Sequence, residues 1–185
     1  MLSIASIHPD SVTAGLSPRQ NKRTEIFMAG CKMAREGHPC PGCFNPDLWT
    51  QEGYQRLNWR AVYNDIVNLK NPYVTFVGGE PLDQYDELVL LFEELSKTQH
   101  HICLITHYTM DEILLQFSKV LDFANTIIDG KYEADKRIFD ENKKPGIYQI
   151  IGSKNQNIWI NKHHVWIEVN KDAEDLSAAY DFISQ

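Results

Sequence analysis

No stretch of this chain approaches the roughly 20 consecutive apolar residues that a membrane-spanning helix requires. Its first residues, Met-Leu-Ser-Ile-Ala-Ser-Ile-His-Pro-Asp, also lack the charged start and long apolar stretch of an export signal. A cytoplasmic protein without a membrane partner is therefore expected. Basic runs are missing too: 18 Lys and Arg face 25 Asp and Glu, giving a formal net charge of −7 spread along the chain, so nucleic acid is not expected as a partner. There is no internal repeat, no low-complexity tract and no linker, so the 185 residues read as a single domain with room for a real core. Cysteine is scarce, with four in all, and three of them share one short segment, which is too few and too clustered for a disulfide framework.

That segment runs Cys31-Lys-Met-Ala-Arg-Glu-Gly-His-Pro-Cys40-Pro-Gly-Cys43, directly after the apolar run Ile26-Phe27-Met28-Ala29 and Gly30. Its Lys, Arg, Glu, Gly and Pro content places it on a surface loop, where unliganded buried thiols do not belong. A metal site is the remaining reading, and it takes two forms. Three thiolates can ligate three irons of a 4Fe-4S cube and leave the fourth iron free to bind a small molecule. Alternatively, His38 completes Cys-x6-His-x-Cys-x2-Cys, a set able to hold tetrahedral zinc. Cys103, within Ile102-Cys103-Leu104-Ile105, reads as a core thiol.

Short β-type runs alternate with helical patterns along the chain, which predicts α/β architecture with a largely parallel, open sheet. Strands are expected over residues 24–28, 73–77, 102–106 and 126–128. Helices are expected around residues 59–67, where Trp59, Val62, Tyr63, Ile66 and Val67 recur at three- and four-residue spacing before Asn71-Pro72, and over 88–95 and 110–117. Residues 129–144 read as a solvated loop, 157–160 and 165–169 as a closing hairpin, and 172–183 as a terminal helix.

In a parallel sheet, ligands gather at the carboxyl ends of the strands. The cysteine loop follows the first parallel strand, Gly78-Gly79-Glu80-Pro81 the second, Thr106-His107-Tyr108 the third and Asp129-Gly130-Lys131-Tyr132 the fourth, so four polar segments face one rim. Gly78 and Gly79 can bring bare backbone close to a ligand, and Glu80 can pair with a ligand ammonium group. Gly-Gly-Glu-Pro is equally a common turn, and Asn155-Gln156 is readable either as a site or as a polar turn.

Together these segments resemble the radical S-adenosylmethionine enzymes, and more narrowly the activating proteins of anaerobic ribonucleoside-triphosphate reductase. The resemblance rests on Ile26-Phe-Met-Ala-Gly-Cys31, Cys40-Pro-Gly-Cys43-Phe-Asn-Pro46, Gly78-Gly-Glu-Pro81, Asp129-Gly-Lys-Tyr132 and Gly152-Ser-Lys-Asn-Gln156, in the family's order, over most of residues 23 to 160. It implies a partial (β/α) barrel. It also implies a 4Fe-4S cluster on Cys31, Cys40 and Cys43, and S-adenosylmethionine held through its amino group by Gly78, Gly79 and Glu80. Thr106 and Asp129 would stand at the rim near its ribose or carboxylate. The implied reaction is reductive cleavage of S-adenosylmethionine to a 5′-deoxyadenosyl radical, which makes a glycyl radical on the large subunit of an anaerobic ribonucleotide reductase. A flavodoxin- or ferredoxin-like protein would donate the electron.

Two departures from the family pattern are plain. Cys-x8-Cys-x2-Cys replaces the usual Cys-x3-Cys-x2-Cys, an insertion that can bulge outward as a flexible loop at little entropic cost. Thr106-His107-Tyr108 stands where relatives read Thr-Gly-Tyr, which changes the rim or leaves His107 simply exposed. The long spacing favours an enzyme acting on a small molecule, similar to 7-carboxy-7-deazaguanine synthase, whereas Asp129-Gly-Lys-Tyr and Gly-Ser-Lys-Asn-Gln favour the activating protein. A non-enzymatic zinc module is the alternative from another class.

Overall fold

The computed structural model describes residues 1–11, 22–137 and 151–169. Eight strands form one sheet: β1 (Leu2–Ser11), β2 (Arg23–Met28), β3 (Gln55–Leu57), β4 (Tyr73–Gly78), β5 (His101–Ile105), β6 (Thr126–Asp129), β7 (Asn157–Lys162) and β8 (Val165–Glu168). Their order is β3-β1-β2-β4-β5-β6-β7-β8. β2, β4, β5 and β6 pair in parallel, while β1 and β3 on one side and β7 and β8 on the other pair antiparallel. The expectation of a largely parallel sheet thus holds for its centre, and the sheet as a whole is mixed. Among the described residues, no helix is long and apolar enough to cross a membrane.

Side-chain alternation gives the central strands two different faces. Ile26, Met28, Val74, Phe76, Ile102, Leu104 and Ile127 join one hydrophobic core with Val62 and Ile66 of α2 (Trp59–Asn68) and Leu88, Leu91, Phe92 and Leu95 of α3 (Tyr85–Lys97). The Phe76 and Phe92 rings lie 4.8 Å apart. Each such buried side chain contributes about 1.5–3 kcal/mol. On the opposite face the register lines up Glu25, Thr75, Cys103 and Thr126, all buried. Cys103 is wholly buried within β5, the core thiol expected of it.

Two expected helices begin where the sequence marks them, while α3 starts three residues ahead of its expected bounds. Asn58 caps α2 by accepting from the Arg60 amide at 2.9 Å. Thr109 and Glu112 form a reciprocal capping box on α4 (Met110–Gln116). β1 and β3 were not expected. The amino-terminal segment buries Leu2 and Ile4, yet its pairing with β2 is broken by two register shifts, which blur the alternation that would betray a strand. Residues 131–137 are a loop holding one short 3-10 turn, Ala134–Lys136, as expected. The expected helix at 172–183 and the stretch 138–144 lie outside the described residues.

Candidate metal centre

All four polar segments sit at the carboxyl ends of the parallel strands and are knitted together there. Gly30 turns the chain away from β2 with φ +105°, and its amide donates to the Leu48 carbonyl at 2.8 Å. The Cys31 amide donates to the Trp49 carbonyl at 3.0 Å, fixing the first cysteine in a buried position. Residues after Cys31 form a helical turn, α1 (Lys32–Arg35), rather than the flexible bulge expected of the insertion. The Lys32 amide at its start donates to the Asp83 carboxylate, and Arg35 donates back to the Cys31 carbonyl at 3.0 Å. Burial is the main influence raising the Asp83 carboxyl above its ordinary pKa, and the Lys32 amide opposes it.

Cys40 and Cys43 lie across a tight turn in which the Cys43 amide donates to the Cys40 carbonyl at 3.1 Å. That turn is docked on the segment after β6. The Ala134 amide donates to the Pro41 carbonyl at 3.1 Å, and the Phe44 and Tyr132 rings are 4.3 Å apart. Sulfur is supplied with donors: Cys43 Sγ accepts from the Asn45 amide at 3.4 Å and from the Trp49 indole at 3.5 Å. Burial pushes the Cys40 thiol up, and the neighbouring Cys43 and Cys31 push it further. The Tyr132 backbone amide and the Lys131 charge pull it down.

Gly78 and Gly79 are forced by close backbone approach. A Cβ on Gly78, which has φ +125°, would run into the backbone of Met28, and one on Gly79 into the Gly30 and Leu48 carbonyls. In return, the Gly79 amide donates to Met28 at 2.8 Å and the Glu80 amide to Gly30 at 2.7 Å, so the second segment is bolted to the residue preceding Cys31. The Gly78 carbonyl accepts from the Asn45 side chain at 3.3 Å.

Glu80 is completely buried, and its carboxylate is surrounded by donors. Oε1 accepts from the Leu82 amide at 2.9 Å and the Thr106 hydroxyl at 2.8 Å. Oε2 accepts from the His107 amide at 2.9 Å and from His107 Nδ1 at 2.6 Å. His107 is thus not an exposed bystander but 11% accessible, stacked on Tyr108 at 4.3 Å and set between Glu80 and Cys31. Burial pulls its pKa down, but hydrogen bonds to Cys31 and Glu80 outweigh burial and carry it up to about 10. The Tyr108 hydroxyl donates to Asp83 at 3.2 Å, closing the circle around Cys31.

Asp129 turns inward and ties two elements together: Oδ2 accepts from the Met110 amide at 2.7 Å and Oδ1 from the Asn157 amide at 3.2 Å. Gln156 accepts from Gly152 at 2.8 Å and donates to the Gly130 carbonyl at 3.1 Å, while the Asn155 amide donates to Lys131 at 2.6 Å. These two brace the fourth segment. The sequence reading overlooked Asp83 and Trp49. Trp49, six residues past Cys43, carried no signal of its own, since only the fold brings its indole to the sulfur.

Three cysteines on one loop at the rim fit the three protein ligands of an iron–sulfur cube, in which each sulfur takes a different iron. N–H donors aimed at the Cys40 and Cys43 sulfurs suit ligating thiolates.

Comparison with known proteins agrees. Residues 20–159 match the family described as a 4Fe-4S single cluster domain. The anaerobic ribonucleoside-triphosphate reductase-activating protein of Escherichia coli (strain K12) is 27% identical over 123 residues, spanning 61% of this chain and 76% of that protein. The protein of the same name from Haemophilus influenzae is 27% identical over 122 residues, with the same 61% and 76% coverage. The pyruvate formate-lyase-activating enzyme of Staphylococcus epidermidis is 27% identical over 177 residues, spanning 86% of this chain and 68% of that enzyme.

Proposed function

The chain belongs to the family of 4Fe-4S single cluster domains, and from that premise we propose that it is a radical S-adenosylmethionine enzyme that activates a glycyl-radical enzyme. The carrying observation is the placement of Cys31, Cys40 and Cys43 at the carboxyl rim of the parallel strands, with the Glu80 amide bonded to the residue before Cys31. Cys31, Cys40 and Cys43 ligate three irons. When bound, the cluster supplies the electron that cleaves S-adenosylmethionine to a 5′-deoxyadenosyl radical.

The chain's own work is to hold and orient. Gly78, Gly79 and Glu80 receive the amino group of S-adenosylmethionine. Thr106 positions the Glu80 carboxylate through its hydroxyl, and Asp129 fixes the start of α4 beside the rim. The face carrying Thr75, Cys103 and Thr126, opposite the helices' core, serves in this reading as the inner side of a partial barrel. Residues 1–185 act as one domain in the cytoplasm. The protein substrate is the large subunit of an anaerobic ribonucleotide reductase, and a flavodoxin- or ferredoxin-like protein delivers the electron. A small-molecule substrate, as for 7-carboxy-7-deazaguanine synthase-like enzymes, is the second reading, favoured by the added helical turn α1 between the first two cysteines.

The test is anaerobic incubation of the reconstituted protein with S-adenosylmethionine and dithionite, with and without the reductase. Formation of 5′-deoxyadenosine together with a glycyl-radical doublet on the reductase is the expected result. 5′-Deoxyadenosine without that doublet would favour the small-molecule reading, and no 5′-deoxyadenosine at all would contradict both.

A further inference from the structure

The Glu80 carboxylate has no acceptor position left. An ionised carboxylate offers about four lone-pair sites, and four donors of this chain already fill them: the Leu82 amide, the Thr106 hydroxyl, the His107 amide and the His107 ring. A ligand ammonium group therefore reaches this carboxylate only by displacing one of them. Three are immobile. The Leu82 and His107 amides belong to the backbone of the rim, and the buried Thr106 hydroxyl is further fixed by accepting from the Tyr108 amide at 3.2 Å.

The fourth donor is different in kind. The His107 ring hangs on a rotatable side chain, keeps an edge open to solvent and rests on the Tyr108 ring as on a shelf, 28° from parallel. The ring thus fills the one acceptor position on this carboxylate that a ligand ammonium group could take without disturbing the backbone of the rim. Nδ1 must carry a hydrogen to approach a carboxylate oxygen at 2.6 Å, so the ring mimics an ammonium donor.

We propose that His107 occupies the ammonium position on Glu80, and that an α-amino acid ligand of the S-adenosylmethionine class binds by exchanging its ammonium group for this ring. The inference rests on the radical S-adenosylmethionine reading above and adds an exchangeable gate to it. His107 is here a specificity-determining residue: a ligand that lacks the cationic amine cannot recover the hydrogen bond that is lost when the ring swings away.

Calorimetric titration of anaerobically reconstituted protein with S-adenosylmethionine, without reductant, tests the exchange. Removing the ring by His107→Ala, with His107→Ser as the second variant should the first fail to fold, frees an acceptor site. The dissociation constant should fall by about tenfold, as expected for gaining one charged hydrogen bond. In a Glu80→Gln background the same His107 change should leave the constant unmoved, since the competed charge is gone. Unchanged or weaker binding in the folded His107 variants, while the unaltered protein binds, would overturn the gate and leave the enzyme reading intact. Absence of binding by the unaltered, cluster-loaded protein would overturn both.

Discussion

Each end of the four parallel strands buries a charged side chain, and the two charges are held in opposite ways. At the amino ends, Arg23 donates to the Thr75 hydroxyl at 2.6 Å, to the His101 carbonyl at 3.1 Å and to the Val74 carbonyl, and its guanidinium lies 5.8 Å from the centre of the Tyr73 ring. Burial lowers its pKa to about 10, so it stays charged at neutral pH. A further contact joins Arg23 Nη1 to the His101 ring nitrogen at 3.2 Å, and that ring packs against Tyr73, so a histidine serves this end as well. At the carboxyl ends, Glu80 is equally buried, and its ring donor, His107, is 11% accessible. The difference lies in the surroundings: Arg23 is tied mainly to carbonyls and a hydroxyl inside the sheet, whereas Glu80 stands at the rim, bonded to the residue before Cys31.

The largest effect is expected at the cysteines. Cys40→Ala should abolish the cluster with an open iron, seen as loss of its signal and of bound iron, while the Arg23 end keeps the protein folded; a full cluster in that variant would remove Cys40 from the ligands. Arg23→Met should lower unfolding stability by about 3 kcal/mol, because buried acceptors lose their donors. Its affinity for S-adenosylmethionine should stay as it was, so denaturant titration and calorimetry together separate the two ends. Glu80→Ala should also lower unfolding stability, since four buried donors lose their acceptor, but unlike Arg23→Met it should weaken S-adenosylmethionine by about 2 kcal/mol, the scale of one charged hydrogen bond, while sparing the cluster. The smallest effect sharpens the frame rather than the site: Thr109→Ala removes the cap of α4 and should cost about 1 kcal/mol in thermal unfolding, with binding unchanged.

Much of this arrangement was legible in the sequence because it rests on local signals. The runs around Phe76 and Leu104 announce buried strands by composition, the spacing of Val62 and Ile66 announces a helix face, and the turn residues place the polar segments after their strands. What stayed hidden depends on contacts far apart in the chain. Asp83 meets Lys32 only because the second segment folds over the first, and the Trp49 indole reaches Cys43 only after the loop closes. His107 read equally as an exposed residue, since nothing in Thr106-His107-Tyr108 reveals a carboxylate waiting 27 positions upstream. The insertion after Cys31 read as flexible because its length, not its capping partner, is what the sequence displays.

The proposed reaction depends on an iron left open beside Glu80. Electron paramagnetic resonance of anaerobically reconstituted, dithionite-reduced protein, recorded with and without S-adenosylmethionine, tests it most directly. A reduced 4Fe-4S signal whose shape changes when S-adenosylmethionine is added is the expected result. A signal indifferent to S-adenosylmethionine, or no cluster signal at all, would contradict it.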